Sequence, residues 1–304
     1  MTEFRSGFVA VVGRPNVGKS TLLNQLVGHK VAIVSDKPQT TRNRIHCILT
    51  RPDAQVVFLD TPGIHKPLHK LGEYMVQTAL RTLNEVDAVF FVVDASKPPG
   101  RGDEFIAAHL QKADAPVILV ANKIDLWEDA PEGKGRKQVT LDDYAKLGEY
   151  ITVLPVSALE GDGLDELVDL VVGLLPEGPK YYPDDWVTDH PEQFIMAELI
   201  RERILLLTRE EIPHATAVVI EQVEAREDRD LIDVWATIYV ERPSQKGIVI
   251  GRNGAMLKQV GKLAREEIEA LLGSQVNLQL WVKVKDDWRE RAGSLSDLGY
   301  TIDS

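Results

Sequence analysis

Gly13-Arg-Pro-Asn-Val-Gly-Lys-Ser20 follows a short apolar run, residues 8–12, and opens a segment of helical periodicity, 20–27. A strand, a glycine-bounded loop ending in Lys-Ser and then a helix is the context that gives Gly-x4-Gly-Lys-Ser its meaning. Gly13 and Gly18 permit a tight backbone turn. The loop of Gly13, Arg14, Pro15, Asn16, Val17 and Gly18, with Lys19, Ser20 and Thr21 at the helix start, can then close on phosphate oxygens. Convergent N–H groups and the positive end of the helix supply the attraction. Lys19 would reach the β and γ phosphates, and the Ser20 hydroxyl would ligate Mg²⁺. A glycine-rich turn with a chance lysine is the bland alternative, and the flanking strand and helix weigh against it.

Outward from this loop, apolar strand-like runs at 55–59, 88–93, 117–121 and 152–155 alternate with amphipathic segments at 72–83, 104–111, 141–150 and 164–175. A further strand is expected around 45–49. Continuous apolar strands separated by helices predict an α/β domain, a mostly parallel sheet with helices on both faces. Its ligand belongs at the C-terminal ends of the strands. Between Pro176 and Pro191 four prolines and Gly178 prevent regular structure from continuing. The reading is therefore a domain over 1–178, a linker over 179–191 and a second domain over 192–304. That second part reads helix (192–207), strand (215–224), strand (231–241), a short helix ending at Ile250, a helix (256–272) and a strand (276–285), with 286–291 helical. Such an order suggests a smaller α+β layer.

A phosphate loop does not choose a base. Asn122-Lys-Ile-Asp125 sits just beyond the 117–121 strand, at the rim where a base should lie. A carboxylate at Asp125 accepts from both the ring N–H and the exocyclic amine of guanine, a donor pair that adenine lacks. Asn122 and the stem of Lys123 brace the loop, and Ser157-Ala158-Leu159 supplies a backbone N–H for the guanine oxygen. Asp60-Thr-Pro-Gly63 ends the 55–59 strand. Asp60 then faces Ser20 as the outer-shell Mg²⁺ group, and the Gly63 N–H meets the γ-phosphate. In Pro38-Gln-Thr-Thr-Arg42, Thr41 or Thr40 can offer Mg²⁺ a hydroxyl while GTP is bound, with Thr41 preferred and a plain polar turn as the alternative. Lys19, Thr41 and Gly63 are the candidate catalytic residues. His65, Lys66, His69 and Lys70 read as a mobile, solvated loop.

With these motifs in order, residues 8–175 resemble the translation-factor-like GTPases and specifically the Era group. Ras-like enzymes carry a water-orienting glutamine after the glycine of Asp-x-x-Gly, and here that position is Ile64. The resemblance implies that Asn16 holds a K⁺ ion against the phosphates, in place of an arginine finger. The other reading of Asn16 is a loop residue tolerating an unusual backbone angle.

Ile248-Val-Ile-Gly-Arg-Asn-Gly254 looks like the Gly-x-x-Gly loop of a KH domain, which joins two helices and clamps single-stranded RNA. Gly251, Asn253 and Gly254 let the backbone approach phosphates, and Lys246, Arg252, Lys258 and Lys262 add charge. Bases would lie on an apolar groove beside Ile248 and Ile250. Two strands before the loop favour the type II variant. A plain helical corner is the alternative. Trp281 and Trp288 offer faces on which bases could stack. Trp281 is assigned to the core in preference, though partial cover and RNA contact remain equal readings, and Met256 and Leu257 are packing residues.

Formal charge is −12, from 35 basic and 47 acidic residues, so any nucleic-acid contact must be local. Arg242, Lys246, Arg252, Lys258, Lys262 and Arg265 form such a patch. With 44% apolar and 27% charged residues and no apolar stretch near ~18 residues, no membrane span is expected. The polar N-terminus is unlike a signal peptide, and a lone cysteine, Cys47, reads as structural. Resemblance over the whole chain implies an Era-type GTPase domain followed by a KH domain. It implies GTP and GDP as ligands with Mg²⁺, and the 3′ end of 16S rRNA on the small ribosomal subunit as partner. It also implies a role in ribosome assembly, a cytoplasmic location with peripheral contact at the inner membrane face left open, and a monomer. The rival is an RNA-binding adaptor that keeps GTP as a structural ligand, to which Ile64 lends weight.

Overall fold

The computed structural model describes residues 3–37, 39–64, 69–127 and 136–300, with only the backbone at 136–139. Pro38, His65 and Lys66 lie outside the described residues. Two compact units divide the chain. One comprises Met1–Ala32, Thr41–Pro67 and Met75–Asp189; the other comprises Ile33–Thr40, Leu68–Tyr74 and His190–Ser304.

The first half carries β1 (Arg5–Val12), α1 (Lys19–Val27), β2 (Ile45–Thr50), β3 (Ala54–Asp60), α2 (Lys70–Thr82), β4 (Ala88–Asp94), α3 (Arg101–Leu110), β5 (Val117–Asn122), α4 (Arg136–Ala145), β6 (Thr152–Pro155) and α5 (Leu164–Leu174). The strands form one six-stranded sheet in the order β2-β3-β1-β4-β5-β6. All neighbours are parallel except β2 and β3. β3, β4 and β5 are buried at every residue, which explains the continuous apolar runs at 56–59, 88–93 and 117–121: a sheet covered on both faces has no side that favours polar groups. Val89, Phe91 and Val93 of β4 pack with Ile106, Leu110 and Tyr144 in one core cluster. Cys47 is fully buried on β2, and burial pushes its thiol well above the ordinary range. Topology places the ends of β1, β3, β4 and β5, with the loops that follow, along one rim. α4 stops at Ala145, short of the expected 150, where the chain turns and Leu147 N–H donates to Tyr144 O at 3.1 Å. Lys70 belongs to α2 rather than to a loop.

The second half carries α6 (Glu192–Leu207), α7 (Ile212–Ala215), β7 (Ala217–Ala225), β8 (Leu231–Val240), α8 (Pro243–Ile250), α9 (Ala255–Leu272), β9 (Gln275–Val284) and α10 (Ala292–Asp297). Its sheet runs β7-β8-β9, antiparallel then parallel, with an irregularity between Ile220 and Gln222. Met196 and Ile200 of α6, Val260 and Ile268 of α9, and Val234 and Ile238 of β8 share its core. α7 was not anticipated; it is a single turn with Pro213 near its start. Nor was α10, which follows a 3-10 turn at Trp288–Glu290. Trp288 is no base-stacking platform. It is fully buried and donates its indole N–H to the Ala215 carbonyl at 2.9 Å. Trp281, assigned to the core, is instead 45% exposed, because β9 turns that residue away from the helices.

Candidate functional site

The phosphate loop is held by contacts that glycine alone permits. A Cβ on Gly13 would lie 2.3 Å from the Val92 carbonyl oxygen, and one on Gly18 would lie 2.3 Å from Asn122 Nδ2. Gly18, at φ 99°, caps the start of α1. Asn16, at φ 65°, is also left-handed. Lys19 is buried and donates to the carbonyls of Gly13 (3.2 Å) and Arg14 (3.0 Å). Burial pushes its ammonium down to about 8, against an opposing pull from Asp60. A charged amine folded back on carbonyls in a dry loop is ready to exchange them for phosphate oxygens.

Beside it three oxygens converge. Ser20 Oγ and Thr41 Oγ1 each donate to Asp60 Oδ2 at 3.0 Å and lie 3.1 Å from one another. Thr40 is turned away, its hydroxyl donating to the Lys37 carbonyl at 2.7 Å. Burial pushes the Asp60 carboxyl up, opposed by Lys19 and by the two hydroxyls. Its Oδ1 is buried without a partner. That donor set, two hydroxyls and a carboxylate with an open oxygen, suits Mg²⁺ whose other ligands are phosphate and water. Gly63 presses on the phosphate loop: a Cβ there would lie 2.7 Å from Pro15 N. Ile64 is 1% exposed, packs in the core and donates its N–H to Gly13 O, so its side chain takes no part.

At the rim, Asn122 ties two loops together. Its Nδ2 donates to Val17 O at 2.8 Å, and its Oδ1 accepts from Ala158 N at 2.9 Å. Lys123 donates to Asn16 O at 2.7 Å and to Asp94 Oδ2 at 3.0 Å. Asp125 accepts from Ser157 Oγ at 2.6 Å. Ser157 N is already donated to Asp162 O, and Leu159 is 68% exposed. Thr21 lies on α1 within the same loop-to-helix turn. Two residues here escaped sequence reasoning. Asp94 closes β4 and holds Lys123; burial works against its ionisation, but hydrogen bonds from Ser96 and Lys123 keep its carboxyl below the usual value. Asp103 is fully buried and pairs with Arg14 at 2.8 Å. A carboxylate ending an apolar strand was the available signal for Asp94.

In the second unit α8 and α9 meet at the glycine loop. Gly251 (φ 74°), Asn253 (φ 52°) and Gly254 (φ 77°) are all left-handed. A Cβ on Gly251 would lie 2.7 Å from Met256 Cβ, whereas Gly254 faces open space. A groove of about 820 Å³ begins at Gly254 and runs between α9 and β9, lined by Leu257, Leu278 and Leu280 with Lys258, Lys262 and Arg265. The expected groove beside Ile248 and Ile250 is not this one. Ile248 is 52% exposed and Ile250 packs on the core, while Leu257, read as packing, lines the groove. Arg252 is exposed and Lys246 half-buried. Glu241, the acid beside this patch, is buried and paired with Arg289 at 2.6 Å, which leaves the local surface basic.

Comparisons with known proteins follow this division. A family described as 50S ribosome-binding GTPase matches residues 8–123, and one described as KH domain matches 211–289. Two solved structures are similar from end to end, each 41% identical with TM-score 0.92, covering 98% of this chain and 100% of their own. One is a variant of Era from Aquifex aeolicus bound to GDP and aluminium fluoride. The other is Era in complex with MgGDPNP and nucleotides 1506–1542 of 16S ribosomal RNA.

Proposed function

The chain belongs to the Era family of GTPases, and from that premise we propose that it hydrolyses GTP with Mg²⁺ and binds the 3′ end of 16S rRNA on the small ribosomal subunit, acting in ribosome assembly and rRNA maturation. In this reading residues 1–178 are the nucleotide module, 179–191 a linker and 192–304 the RNA module. Lys19 and the loop N–H groups neutralise the β and γ phosphates, Gly63 N–H meets the γ-phosphate, and Asp125 selects guanine. Ser20, Thr41 and Asp60 would hold Mg²⁺, and the ion would supply positive charge against the phosphates. Gly251 to Gly254 would bring backbone to RNA phosphates, while Lys258 and Lys262 steer the strand and bases rest on the leucine-lined groove. Lys246, Ile248, Ile250, Arg252 and Asn253 complete the surface around that loop.

The observation that carries the enzymatic reading is the Ser20, Thr41 and Asp60 cluster beside Lys19. Its one buried carboxylate oxygen without a donor is costly unless a cation's hydration shell completes it. A potassium ion at Asn16 belongs to the same proposal. Lys123 holds the Asn16 carbonyl, which already accounts for a left-handed asparagine, so the ion stands or falls on rates. Among the described residues no helix is long and apolar enough to cross a membrane; a cytoplasmic monomer is the reading adopted. Single-turnover hydrolysis with and without Mg²⁺ and small subunits tests the chemistry, and absence of turnover under all conditions sinks it. Crosslinking the GTP-bound chain to total RNA tests the partner; fragments from elsewhere than the 3′ end of 16S rRNA would refute that assignment.

A further inference from the structure

Asp103, in the first turn of α3, is fully buried, and both of its carboxylate oxygens are engaged. Oδ2 accepts the Gly100 N–H at 2.8 Å, and the Asp103 N–H donates back to the Gly100 carbonyl at 2.8 Å, which caps the helix. Oδ1 accepts from Arg14 Nε at 2.8 Å. Capping alone would be served by a carboxylate at the surface, where it faces water. Burial of this one is compensated by the guanidinium of Arg14, which also donates to the Tyr144 hydroxyl. α3 is shaped for that side chain. A Cβ on Gly102 would lie 2.6 Å from Arg14 Cδ, and Gly102 has no left-handed backbone angle that would otherwise call for glycine in a helix. All of these residues lie in one compact unit.

Arg14 is the second residue of the phosphate loop. Its carbonyl accepts from Lys19 Nζ at 3.0 Å, and the next residue, Pro15, is the one on which Gly63 packs too closely to admit a Cβ. With the Arg14 side chain held, the planar peptide that joins Arg14 to Pro15 is held too. We propose that Asp103 is a positioning residue for GTP hydrolysis: through Arg14 it fixes the first half of the phosphate loop, the seat against which Gly63 brings its N–H to the γ-phosphate. The proposal rests on the reading of Gly63 as the γ-phosphate contact. The diphosphate would be held by the second half of the loop and the start of α1, so Asp103 governs GTP against GDP rather than nucleotide binding as a whole.

The test uses the full chain with Mg²⁺. Asp103→Asn keeps the shape and one carbonyl oxygen but not the charge. It should lower the single-turnover hydrolysis rate by about tenfold, the difference between a charge-assisted and a neutral hydrogen bond. Affinity for a non-hydrolysable GTP analogue should fall as well, while GDP affinity stays within about twofold. Arg14→Gln should do the same, and the two changes together should cost about tenfold rather than the roughly hundredfold of independent sites. The doubly changed chain strands no buried charge, so it should fold even where Arg14→Gln alone does not; its rate against that of Asp103→Asn then decides. A further loss of about tenfold in the double variant, or a rate in Asp103→Asn equal to the parent's, would overturn the proposal. So would a loss of GDP affinity as large as the loss for the GTP analogue, since a pair that only supports the loop would give that result. Where the parent itself hydrolyses no GTP, the enzymatic reading is what fails, and the ratio of GTP-analogue to GDP affinity still decides the pair: an unchanged ratio in Asp103→Asn overturns it.

Discussion

Asp125 gives one carboxylate oxygen to Ser157 Oγ, which orients the group and leaves the second oxygen for a base. Asp125→Asn exchanges an acceptor for a donor there, so the variant should prefer xanthine over guanine nucleotides; competition binding that still favours GTP over XTP would refute the base pocket. Lys19 makes a pH prediction. Its pKa of about 8 in the free protein should rise when phosphates surround it, so binding takes up a proton above that value. GTP affinity should be flat below about pH 7 and fall as pH passes 8, by up to about tenfold per unit. Titration with a fluorescent GTP analogue across pH 6.5 to 9.5, roughly the window those pKa values define, checks it; affinity rising with pH would contradict the assignment. Both residues were legible because their motifs place them. Asp94 was not, since an acid ending a strand gains meaning only from Lys123, distant in sequence.

The phosphate loop and the glycine loop are elements whose proposed ligand contacts are made by backbone. Replacing K⁺ by Na⁺ at fixed ionic strength should slow hydrolysis several-fold and leave GTP affinity nearly unchanged, because the ion would act on charge that develops in the transition state. Equal rates would remove the potassium proposal. Gly254→Asp has room for its Cβ but adds a left-handed strain and a carboxylate where RNA phosphates should approach. It should weaken single-stranded rRNA binding by about tenfold or more and leave hydrolysis measured without RNA near normal. Unchanged RNA affinity in the folded variant would remove the KH assignment of this loop. Strands and long helices were readable from periodicity, since burial on two faces or one imposes the pattern directly. α7 and α10 were missed because four to six residues carry too few periods to register.

For the whole molecule, nucleotide binding should appear as stability. GDP with Mg²⁺ at about a hundred times its dissociation constant should add about 2.7 kcal/mol to the unit that binds it, read as a raised midpoint in thermal unfolding. Gly254→Asp should leave that increment intact, and its loss would show that the two halves are energetically inseparable. The sequence by itself determined the two-part plan, the phosphate loop, the guanine motif and the glycine loop, because each is a contiguous string whose backbone geometry is local. Only the tertiary structure decided which threonine faces Asp60, that Trp288 is core and Trp281 surface, and that the groove beside the glycine loop runs along Leu257, Leu278 and Leu280. These depend on side chains from remote segments competing for the same space and the same hydrogen bonds, and no spacing rule along the chain encodes the outcome of that competition.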